Sequence, residues 1–147
     1  MFVSKTISLI LVAALVRAFP AAADDIALSL VHGQDRVDIP ASAITRIEAH
    51  ATQTFFLPKI QKQITSEIPY VLLCYTAAIQ EQICRLTRQI VEQPMSIVVD
   101  CEVVSRPVVR DALCGRCLQV SGNDIQGANA LAQRLKKGSN RRCAPVS

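Results

Sequence analysis

Cys114 and Cys117 enclose Gly115-Arg116, the C-x-x-C spacing used in thiol–disulfide exchange. In enzymes of that kind the first cysteine opens a helix, whose positive end lowers the thiol pKa and favours the thiolate. Here the pair runs into a short apolar stretch, Leu118-Gln119-Val120, and no helical pattern begins before Asp124. The residues therefore favour structural disulfides. A periplasmic thiol–disulfide oxidoreductase using Cys114 and Cys117, with Arg116 stabilising a thiolate, is the alternative. The other cysteines are Cys74, Cys84, Cys101 and Cys143. An even number of cysteines behind an export signal reads as a disulfide framework, and the pairing stays open.

Other chemistries find little footing. Cys101, Cys114, Cys117 and Cys143 could supply four thiolates to zinc, but their intervals are irregular and export favours oxidised thiols. His32 and His50 lack a second ligand at helical or hairpin spacing. Ser96, Ser105 and Ser121 do not sit in a nucleophile elbow, and no glycine-rich phosphate loop is present. Asp100, Glu102 and Asp111 read as a solvated face. No catalytic residue, metal or cofactor is expected. The basic set Arg134, Lys136, Lys137, Arg141 and Arg142 reads as a helix end and a soluble tail.

The N-terminus carries Lys5, an apolar run over residues 7–16 and Ala21-Ala22-Ala23, the layout of a signal peptide over residues 1–23. Its run is short for a membrane span, and Arg17 at its end leaves an uncleaved anchor as the only expected membrane contact. The implied location is periplasmic or secreted, in a bacterium. Without Lys5 and Arg17 the formal charge of +4 falls to about +2, so nothing favours a nucleic-acid partner. The lack of tryptophan argues against a large aromatic pocket.

The elements follow from periodicity and punctuation. Residues 24–69 read as an N-terminal extension with weak strands over 25–31 and 43–50. Ile60, Ile64 and Ile68, four residues apart behind Pro58, predict a short helix over 58–68 that Pro69 stops. Residues 70–75, YVLLCY, predict a buried strand. Thr76 then caps a helix over 77–91, whose Ile79, Ile83, Leu86 and Ile90 share one face. Ile97-Val98-Val99 and a run from Val103 to Val109 predict a hairpin about Asp100-Cys101. Pro107 marks the second strand as an edge, since proline lacks a ladder donor. A helix over 124–137, with Asn123 and Gln126 in capping-box spacing, buries Ile125, Ala128, Leu131, Ala132 and Leu135 and ends at Gly138. Residues 139–147 form a polar tail. The expected fold class is α+β: a small antiparallel sheet with helices on one face.

Several of these pieces, taken in order, resemble one family. Leu86-Thr87 matches its "LT" step. Ile97-Val98-Val99-Asp100 with Val103-Val104-Ser105-Arg106-Pro107-Val108-Val109 resembles "IVLDGKVISAPVI". Gln119-Val120-Ser121-Gly122-Asn123 resembles "QITGNF". Ala128-Asn129-Ala130-Leu131-Ala132 with Leu135 and Gly138 resembles "EAN-LA--L--G". The family is the head subdomain of the first periplasmic domain of SecD, an accessory subunit of the bacterial Sec preprotein translocase. The resemblance covers residues 70–138 and implies a ferredoxin-like α+β domain that meets unfolded preproteins. Cys101 stands where the family has its turn glycine, and Cys114-Gly115 replaces its "GG". The transmembrane helices and proton pathway of SecD and SecF have no counterpart in this sequence, so the implied role is non-catalytic binding or scaffolding. The implied partners are a protein or unfolded polypeptide, Sec translocase components included. The expected contact edge is Val103, Val104, Arg106, Pro107, Val108, Val109 and Arg110, available for strand addition.

Overall fold

The computed structural model describes residues 25–138 and Cys143. The expected signal peptide and the rest of the polar tail lie outside the described residues. In chain order the strands are β1 (Ile26–His32), β2 (Asp35–Pro40), β3 (Ile44–His50), β4 (Gln53–Leu57), β5 (Lys62–Ser66) and β6 (Tyr70–Tyr75). After α1 (Ala77–Gln89) come β7 (Ser96–Val99), β8 (Glu102–Ser105), β9 (Cys117–Ser121) and α2 (Ile125–Lys137). The fold is α+β, with antiparallel pairing throughout.

The single sheet expected from sequence is in fact two larger sheets and a separate hairpin. One sheet has the order β2-β1-β7-β8, the second β3-β6-β9, and β4-β5 stand alone. β1 and β6 are central strands, which explains why their sequences are nearly unbroken apolar runs. The helix α2 packs across β3, β6 and β1, while α1 packs against β2. Leu28, Leu30, Ile39, Leu73, Ile83, Ile97 and Leu135 close the core between these layers.

Three expectations need correction. The helix over 58–68 is absent: Phe55 pairs with Ile64 and Thr54 with Thr65 in a hairpin. Aromatic and β-branched residues suit a pleated pair, and Ile60 falls in the turn, so the isoleucine spacing was accidental. Between the two expected weak strands lies a further one, β2, whose Val37 and Ile39 are buried between exposed Arg36 and Asp38. Residues 24–69 are no appendage, because β1 lies between β2 and β7 and β3 pairs with β6. A division at Tyr70 would split both sheets. Finally, Asp124 rather than Asn123 caps α2, its Oδ1 accepting the Gly127 amide at 2.6 Å.

Gly138 ends α2 as expected. It has φ 64°, and an added Cβ would come within 2.9 Å of the Asp25 side chain. Both the conformation and the close approach require glycine there.

Candidate functional site

The β7–β8 hairpin turns on only two residues, since Val99 pairs with Glu102. Asp100 and Cys101 both have positive φ, 51° and 65°, the conformation that matches the twist of the flanking strands. Neither is glycine, so the surroundings must hold them. Arg134 on α2 donates to Asp100 Oδ2 at 3.1 Å, to the Val99 carbonyl at 3.2 Å and to Glu102 Oε2 at 3.1 Å. A disulfide joins Cys101 to Cys143. Asp100 and Glu102, expected to be only a solvated face, thus share one guanidinium.

β8 is an edge of its sheet, and among the described residues it pairs with β7 alone. Val103 and Val104 are half-buried; Arg106, Pro107, Val108 and Arg110 are exposed. Arg110 pairs with Glu92 at 2.9 Å on the surface. The second strand stops at Ser105, earlier than expected. Beyond it, Met95 donates to the Pro107 carbonyl at 2.9 Å, and Val109 donates to the Gln93 carbonyl at 2.9 Å. Val109 is therefore a correction to the expected edge. Its backbone is already paired, and its side chain is buried in the core at 4% exposure.

The six cysteines make three disulfides: Cys74–Cys117, Cys84–Cys114 and Cys101–Cys143. Cys114 and Cys117 belong to different bridges, so the C-x-x-C spacing is not a redox couple. Four free thiolates for zinc are likewise lacking. Cys74 faces Cys117 across β6 and β9, a pairing set by strand register. Cys84 ties α1 to the loop before β9, and polar contacts reinforce the tie. Gln80 Nε2 donates to the Cys114 carbonyl at 2.6 Å, and the Tyr75 hydroxyl donates to the Gly115 carbonyl at 3.1 Å. Thr87 Oγ1 accepts the Leu113 amide at 2.8 Å. Burial pushes the Tyr75 phenol above its ordinary pKa.

Both histidines have local partners. His32 Nδ1 donates to the Pro94 carbonyl at 2.8 Å. His50 stacks on Tyr70 and lies 3.2 Å from Glu48, which Arg46 also clasps. The Arg46 guanidinium lowers the Glu48 pKa. A shallow groove of about 610 Å³ follows the outer face of α1 beside Cys84 and Cys114, lined by Glu81, Arg85 and Arg88. Among the described residues no group of acidic, histidine or cysteine side chains is arranged to hold a metal ion. Nor is any described helix long and apolar enough to cross a membrane.

One further apolar surface lies away from the expected contact edge. Phe55, Phe56, Leu57, Ile60 and Ile64 are all exposed on the β4–β5 hairpin. The signal for it was present in two short β-prone runs about Pro58-Lys59-Ile60-Gln61.

A family model described as SecDF, P1 head subdomain, matches residues 49–139, more than half of the chain. Two solved structures are similar at 22% identity over 69% of this chain, each with a TM-score of 0.48. One is described as a membrane component SecDF that enhances protein export, the other as SecDF in a super-membrane-facing form. The chain spans 41% of the length of the first and 12% of the second. No protein of curated function matches it.

Proposed function

The chain belongs to the SecDF P1 head subdomain family, and from that premise we propose that it is a non-catalytic accessory module of protein export. Three disulfides fit an extracytoplasmic setting, where thiols stay oxidised. In this reading it works in the periplasm, binding a protein or an unfolded polypeptide, with Sec translocase components among its partners.

The observation that carries the reading is the outer side of β8. An edge strand presents unpaired backbone donors and acceptors, which an extended chain satisfies by adding as a further strand. Such binding tolerates many sequences because it is made largely through the backbone. Arg106, Pro107 and Val108 continue the edge with exposed side chains, apolar contact lying next to a positive charge. The edge is also preorganised. Arg134 and the Cys101–Cys143 bridge fix the turn that leads into it, so little order remains to be imposed on binding.

The test is fluorescence anisotropy of a labelled, carboxymethylated and therefore permanently unfolded polypeptide. Val108→Asp and Arg106→Glu should each weaken binding by roughly tenfold, equivalent to about 1.4 kcal/mol, while the melting temperature moves by no more than a few degrees. Wild-type affinity in both folded variants would remove β8 and its continuation from the reading.

A further inference from the structure

The β4–β5 hairpin forms a sheet of its own, and among the described residues no second layer covers it. Phe56 is 65% exposed and Ile60 60% exposed, near the top of the range for large apolar side chains in this fold. A patch of this kind on a folded domain marks a surface with a partner. Its distribution is informative. Alternation along β4 sends Phe55 and Leu57 to one face, beside Ile64 of β5, and Phe56 to the other, while Ile60 caps the turn. The hairpin therefore shows Phe55, Leu57 and Ile64 on one face, Phe56 opposite Gln63 on the other, and Ile60 at its end, so exposed apolar side chains point in three directions.

A peptide adding to one edge, or a protein covering one face, would leave much of that apolar surface in water. A continuous apolar medium would not. Lys59 and Lys62 flank the tip and have no ion-pair partner among the described residues. Their long stems can lie along apolar surface while the ammonium groups stay at the polar boundary. An apolar tip collared by unpaired lysines has the chemistry of an anionic lipid surface. The paired strands rise by roughly 17 Å, enough to enter the boundary between headgroups and acyl chains and leave the domain outside. We propose that the β4–β5 hairpin is a membrane-docking element that inserts its tip into an anionic bilayer interface.

The chain contains no tryptophan, so Phe56→Trp in the full chain places a single reporter at the tip. Val108→Trp, on the exposed run after β8, is the reference for a site held off the bilayer and controls for tethering by the N-terminal apolar segment. With mixed phosphatidylglycerol and phosphatidylcholine vesicles, the Phe56→Trp emission should shift to the blue and be quenched by brominated acyl chains. The Val108→Trp emission should not change. Adding Lys59→Glu and Lys62→Glu should weaken vesicle partitioning of the tip by roughly tenfold or more. Ile60→Trp provides a second tip reporter should Phe56→Trp disturb folding. Unchanged emission from both tip reporters with vesicles would overturn the proposal. So would a blue shift that grows with protein concentration without lipid, which would assign the hairpin to a second copy. A shift produced by an extended apolar peptide but not by vesicles would assign it to polypeptide binding, and would also overturn it.

Discussion

Cys101 stands at φ 65° in the turn between β7 and β8, and its sulfur is bonded to Cys143, beyond the end of α2. A position that suits glycine is thus held by a residue whose second bond lies elsewhere in the fold. Arg134 adds a polar fastening to the neighbouring Asp100 at 3.1 Å. The edge strand β8 starts from a turn fixed on both sides.

The turn predicts a difference between two disulfide-free variants. Left-handed backbone costs a residue with a Cβ about 1–2 kcal/mol, and glycine is spared that cost. Loss of the bridge should remove about 2–4 kcal/mol in either variant. Cys101→Gly/Cys143→Ser should therefore be more stable than Cys101→Ser/Cys143→Ser by about 1 kcal/mol, seen as a higher urea midpoint. Coincident unfolding curves would mean that the turn stores no such strain.

Thr87 is predicted to be a structural pin. Its side chain is fully buried; Oγ1 donates to the Ile83 carbonyl at 2.7 Å and accepts from the Leu113 amide at 2.8 Å. Thr87→Val keeps the shape but leaves the Leu113 amide without this acceptor, at a cost of about 1–3 kcal/mol. Hydrogen exchange should report it locally: the Leu113 amide should lose protection more than the amides of β6. Equal exchange of Leu113 in both proteins would show that another acceptor takes over.

Val108 and Val109 are predicted to part company when each becomes aspartate. Val109 is 4% exposed, and a carboxylate there would be buried without a partner. Val109→Asp should lower stability by about 3 kcal/mol or more, whereas Val108→Asp, at a position 43% exposed, should change it by about 0.5 kcal/mol. Thermal unfolding of the two variants separates them, and similar losses would contradict the packing of the run after β8.

The stripe Ile79, Ile83, Leu86 and Ile90 is a local signal of helical period, and all four side chains are buried. The Asp100-Cys101 turn was legible because β-branched residues flank it on both sides. Phe55 against Ile64 is different: four-residue isoleucine spacing and a β-prone hairpin competed over the same stretch, and pairing decided it. Val109 was misplaced because Pro107 says only that one amide is missing. It says nothing of the Gln93 and Met95 backbone that meets its neighbours. The cysteine pairing was beyond reach for a similar reason, since Cys74 meets Cys117 through the register of β6 against β9.

Alkaline pH should act through Tyr75. The residue is 2% exposed, its hydroxyl donates to the Gly115 carbonyl at 3.1 Å, and burial raises its pKa above the ordinary value near 10. The unfolded chain then releases this proton at a lower pH than the folded protein does. Stability contributed by the neutral phenol is therefore fully present below about pH 10 and is lost as pH rises through the folded pKa. Tyr75→Phe removes both the titration and the hydrogen bond. At neutral pH it should cost about 0.5–1.5 kcal/mol, and above pH about 10 the gap between variant and wild type should narrow. Urea midpoints measured at closely spaced alkaline pH values decide this. A constant gap across the range would mean that the Tyr75 proton is not linked to folding, and that the loop from Leu113 to Arg116 is held by its other contacts alone.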